Sequence, residues 1–135
     1  MGGDTARVDW EESLTTILLV AAALLTLITA FTHSYFGEQR LIGPLVASSD
    51  GVMSRTLAKQ VVRFAWHLTS VLWIGQALLL LRAAFVPGYL DPMLIGGIGI
   101  VHLAVGVFDA VATRGKHIGW PMLTAIGVFA LLALI

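Results

Sequence analysis

The run LTTILLVAAALLTLITAFTHSYF, from Leu14 to Phe36, decides the fold. It carries no Asp, Glu, Lys or Arg. Its polar side chains are hydroxyls and the single imidazole of His33, all near the length an α-helix needs to cross hydrocarbon, about 20 residues. The run does not alternate in polarity as a barrel strand would. A segment in lipid must also satisfy its own backbone groups, which favours a helix.

Three further apolar stretches follow, about 61–81, 93–111 and 119–135, each roughly 17–21 residues long. Hydrophobic residues make up 58% of the 135-residue chain and charged residues 12%, which is about half the charge that covers a typical soluble domain. The mean hydropathy is +0.90. The expected architecture is therefore all-α: one transmembrane domain, a four-helix bundle in lipid, with helices near 14–36, 50–82, 92–113 and 117–135. The first stretch is flanked by Asp9, Trp10, Glu11 and Glu12. That acidic flank and the long apolar run argue for a retained span, not a cleaved signal peptide.

Turn chemistry separates the stretches. Gly37, Gly43 and Pro44 are expected to end the first helix, Pro87, Gly88, Asp91 and Pro92 to form the second loop, and Arg114-Gly115-Lys116 a tight third connection. Ser49 or Asp50 is the expected N-cap of a long second helix. Short loops make sequential helices antiparallel neighbours. Arg40, Arg55, Lys59, Arg63, Arg114 and Lys116 then fall on one side, with Arg7 and Arg82 on the other. The excess places loops one and three in the cytoplasm and both termini outside. Trp10 and Tyr89 then mark the outer interface, Tyr35 and Trp120 the inner one. Arg55, Lys59 and Arg63 form a basic stripe suited to anionic headgroups.

Composition removes several classes of function. There is no cysteine, so disulfides, thiolate metal sites and thiol catalysis are excluded. The formal net charge of zero gives no reason to expect nucleic-acid binding. No hydrolase elbow, phosphate loop or zinc-protease motif is present. The two halves show no repeat of the inverted-transporter kind.

All four histidines lie in or beside the apolar stretches. Helical periodicity groups Thr26, Thr29 and His33; Arg63, His67 and Ser70; Gly99, His102, Gly106 and Asp109; and His117, Pro121 and Thr124. Ionisable groups within a span usually turn to the bundle interior. Four such stripes facing one axis would gather His33, Glu38, His67, Asp109 and His117 in one inner layer, supported by Arg63, Ser34 and Ser70. His102 would lie roughly 10 Å deeper.

That cluster has two readings. Imidazoles and carboxylates together suit a transition metal ion such as zinc, iron, manganese or copper, or a proton relay serving transport. An interhelical polar network without ligand would use the same residues, each bond worth about 0.6–2 kcal/mol. No pair has a recognised metal spacing such as His-x-x-x-His. A third reading is a redox protein in which His67 and His102 ligate haem b, with Gly97, Gly99 and Gly106 making room for the ring. The same glycines would equally let helices approach closely. Trp66 and Trp73 share a helix face, read as packing or lipid contact. The chain's size also suits a non-catalytic accessory subunit of a larger membrane complex, or a homo-oligomer, with the lipid bilayer as the general partner.

The run His33-Ser34-Tyr35-Phe36-Gly37-Glu38-Gln39-Arg40-Leu41-Ile42-Gly43-Pro44-Leu45 resembles a segment of small four-helix bacterial inner-membrane proteins with no assigned activity. The runs Arg63–Leu68 and Arg114–Trp120 are similar to theirs as well. The resemblance implies a multi-pass fold in the bacterial inner membrane and does not imply a reaction.

Overall fold

The computed structural model describes residues 3–86 and 88–135; of residues 3–6, 8 and 9 it describes the backbone only. Pro87 and the side chain of Asp9 thus lie outside the described residues. The described residues form helices joined by turns and short irregular segments, with no strand among them. The elements are α1 (Gly3–Gly37), a π-helical turn (Glu38–Ile42), α2 (Gly43–Ala47), a 3₁₀ turn (Gly51–Ser54), α3 (Thr56–Phe85), α4 (Pro92–Ala112) and α5 (Gly119–Leu132). Three helices are long and apolar enough to cross a membrane: Trp10–Ala47, Thr56–Phe85 and Pro92–Ala112. The fourth apolar helix, α5, is shorter.

The first helix does not stop at Gly37. It continues through the π-turn to Ala47, eleven residues beyond the expected end at Phe36. The wide turn shifts backbone bonding by one residue, so that the Gly43 N–H donates to the Glu38 carbonyl just ahead of Pro44. A regular turn would have met the proline ring and its missing N–H. An added side chain at Gly43 would fall 2.7 Å from that same carbonyl, so only glycine fits there.

The second helix begins at Thr56, not near Asp50. Gly51 has φ +54°, which no continuing right-handed helix allows. The segment instead forms an isolated 3₁₀ turn, with the Asp50 N–H bonded to Ser48 Oγ at 3.1 Å. At α4 the expected start is realised: Asp91 Oδ1 accepts from the N–H groups of Met93 (2.9 Å) and Leu94 (3.2 Å), and Pro92 opens the first turn. The third connection is closed by a left-handed pair, Arg114 (φ 53°) and Gly115 (φ 72°). The Gly115 N–H reaches back to the Ala110 carbonyl at 2.8 Å, and the Arg114 N–H to the Val111 carbonyl at 3.2 Å. This is the Schellman pattern that ends a helix abruptly.

The helices pack as a row, α3–α1–α5–α4. The expectation of four helices around one axis, each beside its sequence neighbour, is corrected in one respect: α3 and α4, joined by a short loop, do not pack along their lengths. They meet only at one end, where Leu19, Ala22, Ala23, Ala77, Leu80, Ile95, Ile98, Ala130 and Ala133 form one apolar core. The α4–α5 contact is close because it runs over glycine. A side chain at Gly106 would meet the Thr124 backbone N at 2.6 Å, and one at Gly127 the Leu103 N at 2.5 Å. The α1–α3 contact is antiparallel, from Thr16 near the Ala84 carbonyl (3.5 Å) to Ser34 beside His67. Ser34, Glu38, Arg63 and His67 therefore stand at the opposite end of the bundle from the apolar core.

Candidate functional site

At that opposite end four polar side chains form one hydrogen-bonded chain between α1 and α3. Ser34 and Glu38 are one turn apart on the first helix and its π-turn; Arg63 and His67 are one turn apart on α3. Arg63 Nη2 donates to Glu38 Oε1 at 2.7 Å. His67 Nε2 lies 3.1 Å from Glu38 Oε2, and His67 Nδ1 lies 2.6 Å from Ser34 Oγ. An ionised carboxylate only accepts, so Nε2 carries the proton that faces Glu38. Nδ1 of the neutral ring is then the acceptor for the Ser34 hydroxyl. The direction of every bond in the chain follows from the Glu38 charge, which Arg63 holds in place.

The chain is not sealed. His67 and Glu38 are about one-third exposed and Arg63 is half exposed. Ser34, Glu38 and His67, with Phe31, Tyr35 and Gln39, line a shallow groove of about 460 Å3. The π-turn begins at Glu38 itself, and such single wide turns recur at functional sites because they re-aim a side chain.

His33 does not join this chain. Its ring stacks on Trp66 at 4.1 Å between centroids and takes Trp73 edge-on at 5.1 Å. The Trp66 indole N–H donates to the His33 carbonyl at 3.1 Å. His33 Nε2 is buried without a hydrogen-bond partner among the described residues. The two tryptophans, expected to pack or face lipid, instead cage an imidazole.

Asp109 and His117 form a second, separate pair. His117 Nδ1 lies 2.6 Å from Asp109 Oδ2, and the Thr113 hydroxyl links the same turn by donating to the Asp109 carbonyl at 2.7 Å. No hydrogen bond or ion pair among the described residues joins this pair to the Glu38 chain. The five residues expected in one inner layer are thus distributed as Glu38 with His67, Asp109 with His117, and His33 against tryptophan. Among the described residues no group of three or more His, Asp or Glu side chains is placed to hold a metal ion.

His102 is 3% exposed, and its Nδ1 is bonded to the Ile98 carbonyl of its own helix at 2.9 Å. It does not face His67: α3 and α4 lie apart, and both His67 nitrogens are occupied by Ser34 and Glu38. The pair considered for haem is not brought together. Ser70 is buried one turn below His67, its hydroxyl without a partner among the described residues. Thr26 and Thr29 bond back to the carbonyls of Ala22 and Leu25, both at 2.8 Å, which satisfies them within their own helix.

Periodicity gave part of the polar face of α1: Thr26 and Thr29 are buried as expected, and His33 meets Trp66 of α3. Thr26, Thr29 and His33 form its most obvious polar stripe, but the face that meets the α3 polar groups is Ser34 and Glu38. The readable signal was a pair of matching spacings, Ser34/Glu38 and Arg63/His67, each i,i+4.

No family model, curated protein or solved structure matches this chain.

Proposed function

We propose that this chain is a small multi-pass protein of the bacterial inner membrane that takes up and passes a proton at the Ser34–His67–Glu38–Arg63 chain. Three helices of spanning length and composition support the membrane reading. The resemblance of three sequence runs supports the inner membrane. On this reading the shorter α5 completes a fourth pass together with the turns at its two ends, and the basic residues around Glu38 and Arg114 support a cytoplasmic position for that end of the bundle, with both termini outside.

One observation carries the proton reading: His67 uses both ring nitrogens at once, one toward a hydroxyl and one toward a carboxylate. A proton arriving at Nδ1 from the groove makes an imidazolium. The Nε2 proton is then released to Glu38 Oε2, and the ring is left in its other tautomer. Arg63 offsets the carboxylate charge until that proton arrives and again once Glu38 has passed it on. The apolar core closes the other half of the bundle, so a single chain handles the proton on one side. Transport across the bilayer requires an oligomer.

Tryptophan emission tests the reading in a His33→Phe background, which removes the imidazole stacked on Trp66, because Trp66 directly precedes His67. In detergent, with Trp10 and Trp120 also replaced by Phe, emission is expected to change reversibly as the His67 ring gains and loses a proton. The change is expected to disappear in His67→Ala. A full change persisting in that variant contradicts the proposal.

A second reading is an accessory subunit in a larger membrane assembly. It is favoured by the groove between α3 and α4, where the side-chain carbonyl of Gln76 is buried without a partner among the described residues. An amide in apolar surroundings is costly until a neighbour bonds to it. Stoichiometric co-purification of a second protein that is lost in Gln76→Leu would support that reading.

A further inference from the structure

On the other side of Arg63 from the His67 groove lies a second groove, of about 410 Å3. It is lined by Val46, Thr56, Lys59, Gln60, Arg63 and Phe64. We propose that this groove binds the phosphate-bearing headgroup of an anionic phospholipid. The inference rests on the membrane reading above but not on the proton reading.

The wall on α3 is cationic. Lys59 and Arg63 stand one turn apart, so their charged ends fall on one face. Lys59 makes no ion pair among the described residues and keeps three donors free. Arg63 gives one of its nitrogens to Glu38 and retains the others, because a guanidinium carries five N–H groups in a fixed fork. Thr56 and Gln60 add neutral hydrogen-bonding groups. Opposite them Val46 is buried, and Phe64 closes the groove as an exposed ring. Two cations, two neutral donors and an apolar floor suit a ligand that is anionic at one end and apolar at the other.

Its surroundings decide between a lipid and a free anion. Phe64 is exposed in the groove wall, and so are Leu45 and Leu57, the chain neighbours of its lining residues Val46 and Thr56, which is costly in water and favourable where acyl chains begin. The groove lies at the boundary where α3 passes from polar residues into its apolar stretch at Val61. That is the depth of headgroups if α3 crosses the bilayer. A diffuse basic surface would attract lipid through any of its charges. A built groove depends on two of them.

Detergent-solubilised protein is titrated with phosphatidylglycerol, phosphatidylcholine or glycerol 3-phosphate, and retained ligand is counted by native mass spectrometry. One phosphatidylglycerol is expected to be retained in preference to phosphatidylcholine, with glycerol 3-phosphate held far more weakly. Lys59→Gln with Arg63→Gln is expected to weaken retention about thirtyfold, the fold-change equivalent to about 1 kcal/mol for each of two cations. Lys59→Gln alone, which leaves the Glu38–Arg63 bond intact, is expected to give a partial loss. Arg114→Gln with Lys116→Gln removes the same charge elsewhere at this end and is expected to change little. Equal losses from both double variants, or no preference over phosphatidylcholine, would overturn the site. Equal retention of glycerol 3-phosphate would overturn the lipid assignment. Failure of the membrane reading is distinct: the protein would then be a folded monomer without detergent.

Discussion

The indole of Trp66 fills the space that a side chain at Gly37 would need. An ideal Cβ on Gly37 lies 2.6 Å from Trp66 Nε1 and 2.7 Å from Cε2. The same indole stacks on His33 and donates to its carbonyl, so one ring fixes both the distance and the rotation of α1 against α3. The register of the whole Ser34–His67–Glu38–Arg63 chain follows from that contact.

Gly37→Ala is therefore expected to destabilise the protein by about 1–3 kcal/mol, the usual cost of overpacking a fitted contact. Thermal unfolding in detergent measures it. Gly97→Ala is the control, because nothing lies within 4 Å of its Cβ position. Equal melting temperatures for the two variants would contradict the packing described.

The α4–α5 contact makes a parallel prediction with a different cause. At Gly127 the obstructing atoms are backbone, the Leu103 N and the Gly99 O, which cannot rotate away. Gly127→Ala should force the helices apart and cost more than Gly96→Ala, whose Cβ would meet only a Leu134 methyl group at 3.6 Å. Unfolding of the two variants in the same detergent checks the order.

The polar residues should behave as two energetic units. In double-mutant cycles on detergent unfolding, Ser34→Ala and His67→Ala are expected to couple by about 0.6 kcal/mol, and by no more than about 1.7 kcal/mol. His67→Ala and His117→Ala are expected to add, because no hydrogen bond or ion pair among the described residues joins their two groups. Strong coupling between His67 and His117 would restore the single inner layer that the geometry divides.

Metal content gives a further check. Neither Glu38 with His67 nor Asp109 with His117 has a third His, Asp or Glu placed to share a metal ion among the described residues. Elemental analysis of protein purified with added zinc is expected to give the same value for the wild type and for His33→Ala with His67→Ala. Loss of about one equivalent in the variant would contradict the two-pair arrangement.

How far all this was readable from sequence depends on the scale of the feature. The helices were legible because hydropathy accumulates over some 20 residues and one misread position does not alter the sum. Their ends depended on single residues. Gly37, Gly43 and Pro44 look like a stop, yet the π-turn absorbs the proline and carries the helix to Ala47. Gly51 looks incidental, yet its positive φ delays α3 to Thr56. The candidate site was legible as a list of residues. Its grouping was not, since whether Asp109 meets His67 depends on the order of helices in the row. That order is set by contacts such as Gly106 on Thr124, between residues distant in sequence. The spacing of Trp66 and Trp73 indicates a shared face for packing or lipid contact. Nothing in their spacing indicated that His33 would be their partner.

The most direct test of the central claim is the position of the His67 proton. In 15N-histidine spectra of the protein in lipid nanodiscs, the neutral His67 ring is predicted to carry its proton on Nε2, facing Glu38, with Nδ1 accepting from Ser34. Ser34→Ala should alter the Nδ1 signal, and Glu38→Gln the Nε2 signal. A neutral His67 with its proton on Nδ1, or signals indifferent to both substitutions, would contradict the account.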